Sequence, residues 1–178
     1  PAARPGSLLL DLACGGGLLA PHIVHLGHRH VGVDLSATVY LPAGYDPAAT
    51  RTYPVILGLH GWPGVPQSFT RGRFLSTADA LTATHRLAAS IVVIPQINDP
   101  RTIDTECTNG PPGDPQSDTW LSTVVPRWAV QHLRVQTQRT SWTTLGYSYG
   151  GWCAASVAMR HPDVFGGAVR EPLDPADA

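Results

Sequence analysis

The chain has 178 residues, 43% of them hydrophobic and 14% charged, a balance that fits one core-bearing domain and excludes a disordered or highly charged scaffold. Its formal net charge of −1 gives no electrostatic basis for binding nucleic acid or an anionic membrane. No apolar run reaches the roughly 18–20 residues of a membrane-spanning helix, and residues 1–7 lack the basic-then-apolar shape of a signal peptide, so the sequence reads as soluble with its compartment open.

All 12 basic residues are Arg, which reflects codon usage more than physics. The chain does not begin with Met, which suggests a fragment. Cys14, Cys107 and Cys153 match no zinc or CxxC spacing. They read as free or buried thiols, with a Cys107–Cys153 disulfide as the alternative.

In chain order, residues 8–13 read as a buried strand, Gly15-Gly16-Gly17 as a turn, 18–26 as a helix ended by Gly27, and 30–35 as a second strand. Residues 38–41 read as a strand and 42–51 as a Pro/Gly/Asp loop. The apolar run 53–59 is a strand. A helix is expected over 76–88 with Ser76 as its cap and Asp79 three residues on. Residues 91–94 form a short buried strand, and 98–117 a long polar loop with four prolines, of the length that shapes a site or is mobile. Trp120, Leu121, Val124, Trp128 and Leu133 keep helical spacing, interrupted by Pro126. Residues 142–145 are a strand, 149–160 a helix, and 164–169 begin another strand. The tail from Glu171 is acidic and Pro-rich and should fray. From Tyr53 onward strands alternate with helices, the pattern of an α/β fold: a three-layer α/β/α sandwich around a mostly parallel sheet.

Gly146-Tyr147-Ser148-Tyr149-Gly150 follows an apolar strand and opens a helix, the setting that a GxSxG serine needs. The turn holds the serine in strained dihedrals, so its neighbours must be small. The helix N-terminus then offers N–H groups and positive dipole to a developing oxyanion. Ser148 is the expected nucleophile, and Tyr149 one N–H donor. His60-Gly61-Trp62-Pro63-Gly64 follows the strand over 53–59, where such folds supply the second donor, so Gly61 or Trp62 is expected there. His60 reads as a turn-fixing residue, because in these folds the catalytic histidine comes after the nucleophile.

From Thr38 to Val169 the sequence resembles the putative-esterase family of α/β hydrolases, which includes mycolyltransferase-like and feruloyl-esterase-like enzymes. The matching stretches are Val39-Tyr40-Leu41-Pro42-Ala43-Gly44-Tyr45, Leu59 to Gly64, Thr105-Glu106-Cys107 with Gly110-Pro111-Pro112-Gly113-Asp114, and Gly146 to Trp152. The resemblance implies ester hydrolysis or acyl transfer through an acyl-serine, a small-molecule ester as substrate, and no cofactor. Family members place the triad acid and histidine well after the elbow. Only 30 residues follow Ser148, and His161 is the sole histidine among them. It closes the elbow helix, roughly 15–20 Å from the serine. Asp174 and Asp177 are too near the end to serve. The expectation is therefore a truncated α/β-hydrolase fold lacking its C-terminal strands, with weak or no activity.

Asp11-Leu12-Ala13-Cys14-Gly15-Gly16-Gly17, with Asp34 placed 19 positions after Gly15, resembles the first motif of class I S-adenosylmethionine-dependent methyltransferases. This resemblance covers residues 8–36 and implies S-adenosylmethionine contacts from Asp11, Gly15, Gly17 and Asp34. A plain βαβ piece without ligand is the competing reading. The division expected is thus a methyltransferase-type fragment over 1–36 and an esterase body over 37–178, a chimera joined near Ser36. A methyltransferase-like binder, or a fragment without function, is the alternative to the esterase. His22, His25, His28 and His30 read as a solvated helix end, since their spacing enforces no metal shell and no metal site is expected. Glu106 and Asp114 read as solvated loop residues or as the substrate mouth. Trp62 and Trp152 flank the elbow and are open to an acyl-pocket role.

Overall fold

The runs Val55-Ile56-Leu57-Gly58-Leu59 and Ile91-Val92-Val93-Ile94-Pro95 are apolar almost throughout, the composition of parallel strands covered on both faces. The computed structural model describes residues 8–12, 37–71, 73–97 and 104–170, and these two runs are its central strands. In chain order the elements are β1 (Leu8–Leu12), β2 (Ala37–Leu41), β3 (Val55–Leu59), α1 (Gln67–Arg71), α2 (Phe74–Ala83) and β4 (Ile91–Pro95). There follow α3 (Ser117–Thr119), a π-helical stretch Trp120–Val124, α4 (Val125–His132), β5 (Trp142–Gly146), α5 (Tyr149–Arg160) and β6 (Gly167–Arg170). The described strands form one sheet in the order β1-β2-β4-β3-β5-β6. β4, β3, β5 and β6 are parallel, while β1 and β2 run antiparallel at one edge.

The period-two pleat sorts side chains into two cores. Val39, Val55, Leu57, Leu59, Ile91 and Val93 face one side, together with Cys153, Ala154 and Val157 of α5 and Trp128 and Ala129 of α4. Tyr40, Val92 and Ile94 face the other, with Phe69 of α1 and the half-buried Phe74 and Leu75 of α2. The result is the three-layer α/β/α sandwich of the α/β-hydrolase fold. Leu57 and Leu59 are fully buried, each stabilising by about 1.5–3 kcal/mol. Thr144 Oγ1 donates to Ala154 O at 2.8 Å, fixing α5 on the sheet below.

Several local expectations are corrected. Helix α2 begins at Phe74 and its cap position is Arg73; Ser76 Oγ donates back to Arg73 O at 2.8 Å instead of capping. It ends at Ala83, five residues early, because His85 takes a left-handed conformation (φ 57°) and the chain turns back with Arg86 N–H on Leu81 O. Pro126 does not end the helical run; it stands in the first turn of α4, where the π-helical stretch Trp120–Val124 gives way to α-helix. Tyr53 forms only an isolated bridge with Val135 ahead of β3. The last strand starts at Gly167, after a turn in which His161 O accepts from Val164 and Phe165. Of the expected βαβ opening, only Leu8–Leu12 is described, and it joins the hydrolase sheet beside β2, with Asp11 opposite Thr38. Gly15, Gly17, Asp34, Cys14 and the histidines at 22, 25, 28 and 30 lie outside the described residues.

Candidate active site

β5 ends at Gly146 and α5 begins at Tyr149, which leaves two residues to reverse the chain. Ser148 makes the reversal with φ 53° and ψ −128°, a conformation that costs a non-glycine residue about 1–3 kcal/mol. Its neighbours allow nothing larger than hydrogen. A Cβ on Gly150 would lie 2.0 Å from Leu59 O, and one on Gly146 would lie 2.1 Å from Gly150 O. The first turn of α5 is thereby wedged against the end of β3. Ser148 itself is exposed. The N–H groups of Tyr149 and Gly150 have no intrahelical acceptor and sit at the positive end of a 12-residue helix.

The turn after β3 closes the other side. A Cβ on Gly61 would fall 2.8 Å from the Tyr147 ring and 3.3 Å from Ser148 Cβ, so this turn lies directly on the elbow. Fully buried His60 sets its direction. Ile97 N–H donates to Nε2 at 3.4 Å, which leaves the proton on Nδ1 to donate to Gly61 O at 2.9 Å. With the Gly61 carbonyl turned to His60, the planar peptide directs the Trp62 N–H the opposite way. Burial holds the imidazole pKa below its ordinary 6.5, against the smaller opposing pull of the Gly61 carbonyl. His60 therefore works as a neutral clasp, as its place in the chain implies, with both nitrogens engaged.

Of the bonds that hold the long loop, sequence reasoning offered the disulfide as an alternative and did not foresee the Arg160 and Asp118 contacts. Cys107 and Cys153 are joined, so the disulfide named as the alternative replaces the free or buried thiols expected of this pair. Cys153 belongs to the buried stripe of α5 with Gly150, Ala154 and Val157. Arg160 Nη2 donates to Cys107 O at 2.7 Å, and Asp118 receives both Arg160 Nε (2.9 Å) and His161 Nε2 (2.8 Å). His161 is thus a helix-end residue paired with Asp118, about 20 Å along the helix from Ser148. Tyr149 is half-buried with its phenol facing Thr105, Asp104 and the Cys107 backbone. Burial raises its pKa above 10, with Asp104 adding to and Thr105 opposing the shift. Among the described residues, no side chain hydrogen-bonds the Ser148 hydroxyl, and no group of three His, Cys, Asp or Glu converges. Glu106 and Asp114 are exposed loop residues, and Trp62 and Trp152 are 45% and 55% exposed on either side of the elbow.

Fold and elbow define an α/β hydrolase. Residues 29–171 match the family described as Putative esterase, and the chain belongs to that family. It is 34% identical over 137 residues to an uncharacterised protein of Corynebacterium glutamicum, a match spanning 73% of this chain and 30% of that one. A solved ferulic acid esterase superposes with a TM-score of 0.71 at 22% identity, over 91% of this chain and 58% of that one. A ubiquinone biosynthesis O-methyltransferase of Hahella chejuensis is 26% identical over 124 residues, covering 69% of this chain and 45% of its own length. The chain thus spans less than two thirds of each of these relatives. Among the described residues, no helix is long and apolar enough to cross a membrane.

Proposed function

We propose that this chain carries the nucleophile and oxyanion half of a serine carboxylic-ester hydrolase. Ser148 Oγ attacks the ester carbonyl. The tetrahedral oxyanion is met by the N–H of Tyr149 and by an N–H from Gly61 or Trp62. The alcohol leaves, and water releases the acid from the acyl-serine. The observation that carries the reading is the strained, exposed Ser148 at a helix N-terminus with the Gly61 turn packed on it. The substrate class is a small-molecule ester, and the reaction needs no cofactor.

A base and an orienting acid are the other half of such a site. His60 has both nitrogens engaged, and His161 is committed to Asp118 at the far end of α5. We infer that these 178 residues alone react slowly, on the residual catalysis that oxyanion groups provide without a full triad. The family match over residues 29–171 favours the esterase over the methyltransferase-like alternative.

The test is covalent labelling by a fluorophosphonate probe. The expected result is one adduct on Ser148, absent in Ser148→Ala, together with slow hydrolysis of activated aryl esters. A folded chain that neither labels nor hydrolyses would overturn the reading.

A further inference from the structure

The bridge, the arginine and the phenol described above share one geometry: all three fasten residues 104–110 to α5, the helix whose first turn carries Ser148. Cys153 lies five residues beyond Ser148, about 7–8 Å of axial rise. Tyr149 adjoins the serine, and its hydroxyl faces Thr105 and Asp104. The loop is stiff in itself. Glu106 (φ 48°) and Cys107 (φ 52°) are both left-handed, and Thr108 N–H closes on Thr105 O at 2.8 Å. Gln116 Nε2 reaches the carbonyls of Gly110 and Asp114 at 2.9 and 3.0 Å, and Asn109 pairs twice with Thr119. Its exposed residues, Asp104, Glu106, Thr108 and Asn109, are polar. They offer little apolar area to hold a substrate, so the loop acts as a boundary more than as an adhesive surface.

We propose that residues 104–110, pinned to α5 by the Cys107–Cys153 disulfide, form a rigid wall of the ester site that limits the size of the group accepted beside Ser148. Tyr149 acts here as a positioning residue through its side chain, apart from its N–H. The inference rests on the esterase reading. Breaking the bridge releases the wall, and bulky groups gain access relative to small ones. A device of this kind also ties selectivity to redox state, because the wall is set only while the two sulfurs are joined.

The experiment compares labelling rates of Ser148 by a small alkyl fluorophosphonate and by a bulky polycyclic aryl one, in the full chain, oxidised and as the Cys107→Ser/Cys153→Ser double variant, with circular dichroism as the fold check. The bulky-to-small rate ratio should rise about tenfold, equivalent to about 1.4 kcal/mol of relative access. A ratio that falls, or stays within about twofold, overturns the wall. If the double variant loses its native spectrum, Arg160→Met is read instead. It frees Cys107 O with the bridge intact, and the ratio should rise about threefold; an unchanged ratio overturns the wall. Failure of the oxidised wild type to label with either probe sinks the esterase reading and this inference with it, an outcome distinct from labelling without a change of ratio.

Discussion

The two sides of Ser148 are held by different physics. Towards the sheet, the elbow is fixed by backbone approaching backbone: Gly150 against the end of β3, Gly146 against Gly150, and Gly61 against Tyr147 and Ser148. Towards the 104–110 loop it is fixed by bonds that cross long stretches of chain: Cys107 to Cys153, Arg160 to Cys107 O, and Asp118 to Arg160 and His161. The first kind leaves a signature at the residue itself, because close approach admits only glycine. The second leaves little: the sequence offers Cys107–Cys153 only as an alternative, and an aspartate is compatible with many partners.

The sheet side of the elbow is most sensitive at Gly150. Gly150→Ala places a methyl where Leu59 O already stands, and the contact is backbone, which cannot rotate away. We expect a loss of more than about 4 kcal/mol in urea unfolding and no labelling of Ser148. Unchanged stability would mean that the elbow does not bear on β3. The loop side is weaker and more forgiving. Removing the bridge releases a 46-residue separation in the unfolded chain and should cost about 2–4 kcal/mol. The elbow should stay intact, so the small fluorophosphonate continues to mark Ser148.

The same division explains what could be read in advance. Ile91–Pro95 and Val55–Leu59 were legible as strands because burial on both faces demands apolar runs, and Trp142–Gly146 because aromatic and β-branched residues favour a strand. The turn at Ser148 and the close approach of Gly61 to it were legible because short spacing encodes them. The end of α2 was not, since nothing in Thr84-His85-Arg86 announces that a histidine will take the left-handed position usually given to glycine. Nor was the hold of Asp118 on His161, which joins residues 43 positions apart and depends on where the loop returns. The antiparallel place of β1 was hidden for a related reason: a leucine-rich pentapeptide fits either direction, and pairing with β2 decides it.

His60 joins the two kinds of contact, being a local turn-former that also accepts from Ile97. Burial holds its pKa below 6.5, so the unfolded chain takes up a proton first as pH falls. Its contribution to stability is complete above about 6.5 and is lost as pH drops through the depressed folded value. Thermal melts should weaken from pH 7 towards 5, and His60→Gln should flatten that part of the profile. A slope unaltered by the substitution would assign the acid sensitivity to other groups.

The smallest effect separates strain from chemistry at the serine. Ser148 occupies a positive φ that a Cβ makes costly, and under the proposed function its hydroxyl is what requires a side chain there. Ser148→Gly removes the strain, although glycine also loses more conformational freedom on folding. The balance should be a gain of about 1 kcal/mol, or about 2–4 °C in Tm for a domain of this size. Ser148→Ala keeps its Cβ and should gain nothing, while neither variant can be labelled. The difference between the two inert variants therefore measures the strain alone. If both melt with the wild type, the loop-side tethers, more than the dihedrals, determine how tightly the elbow is held.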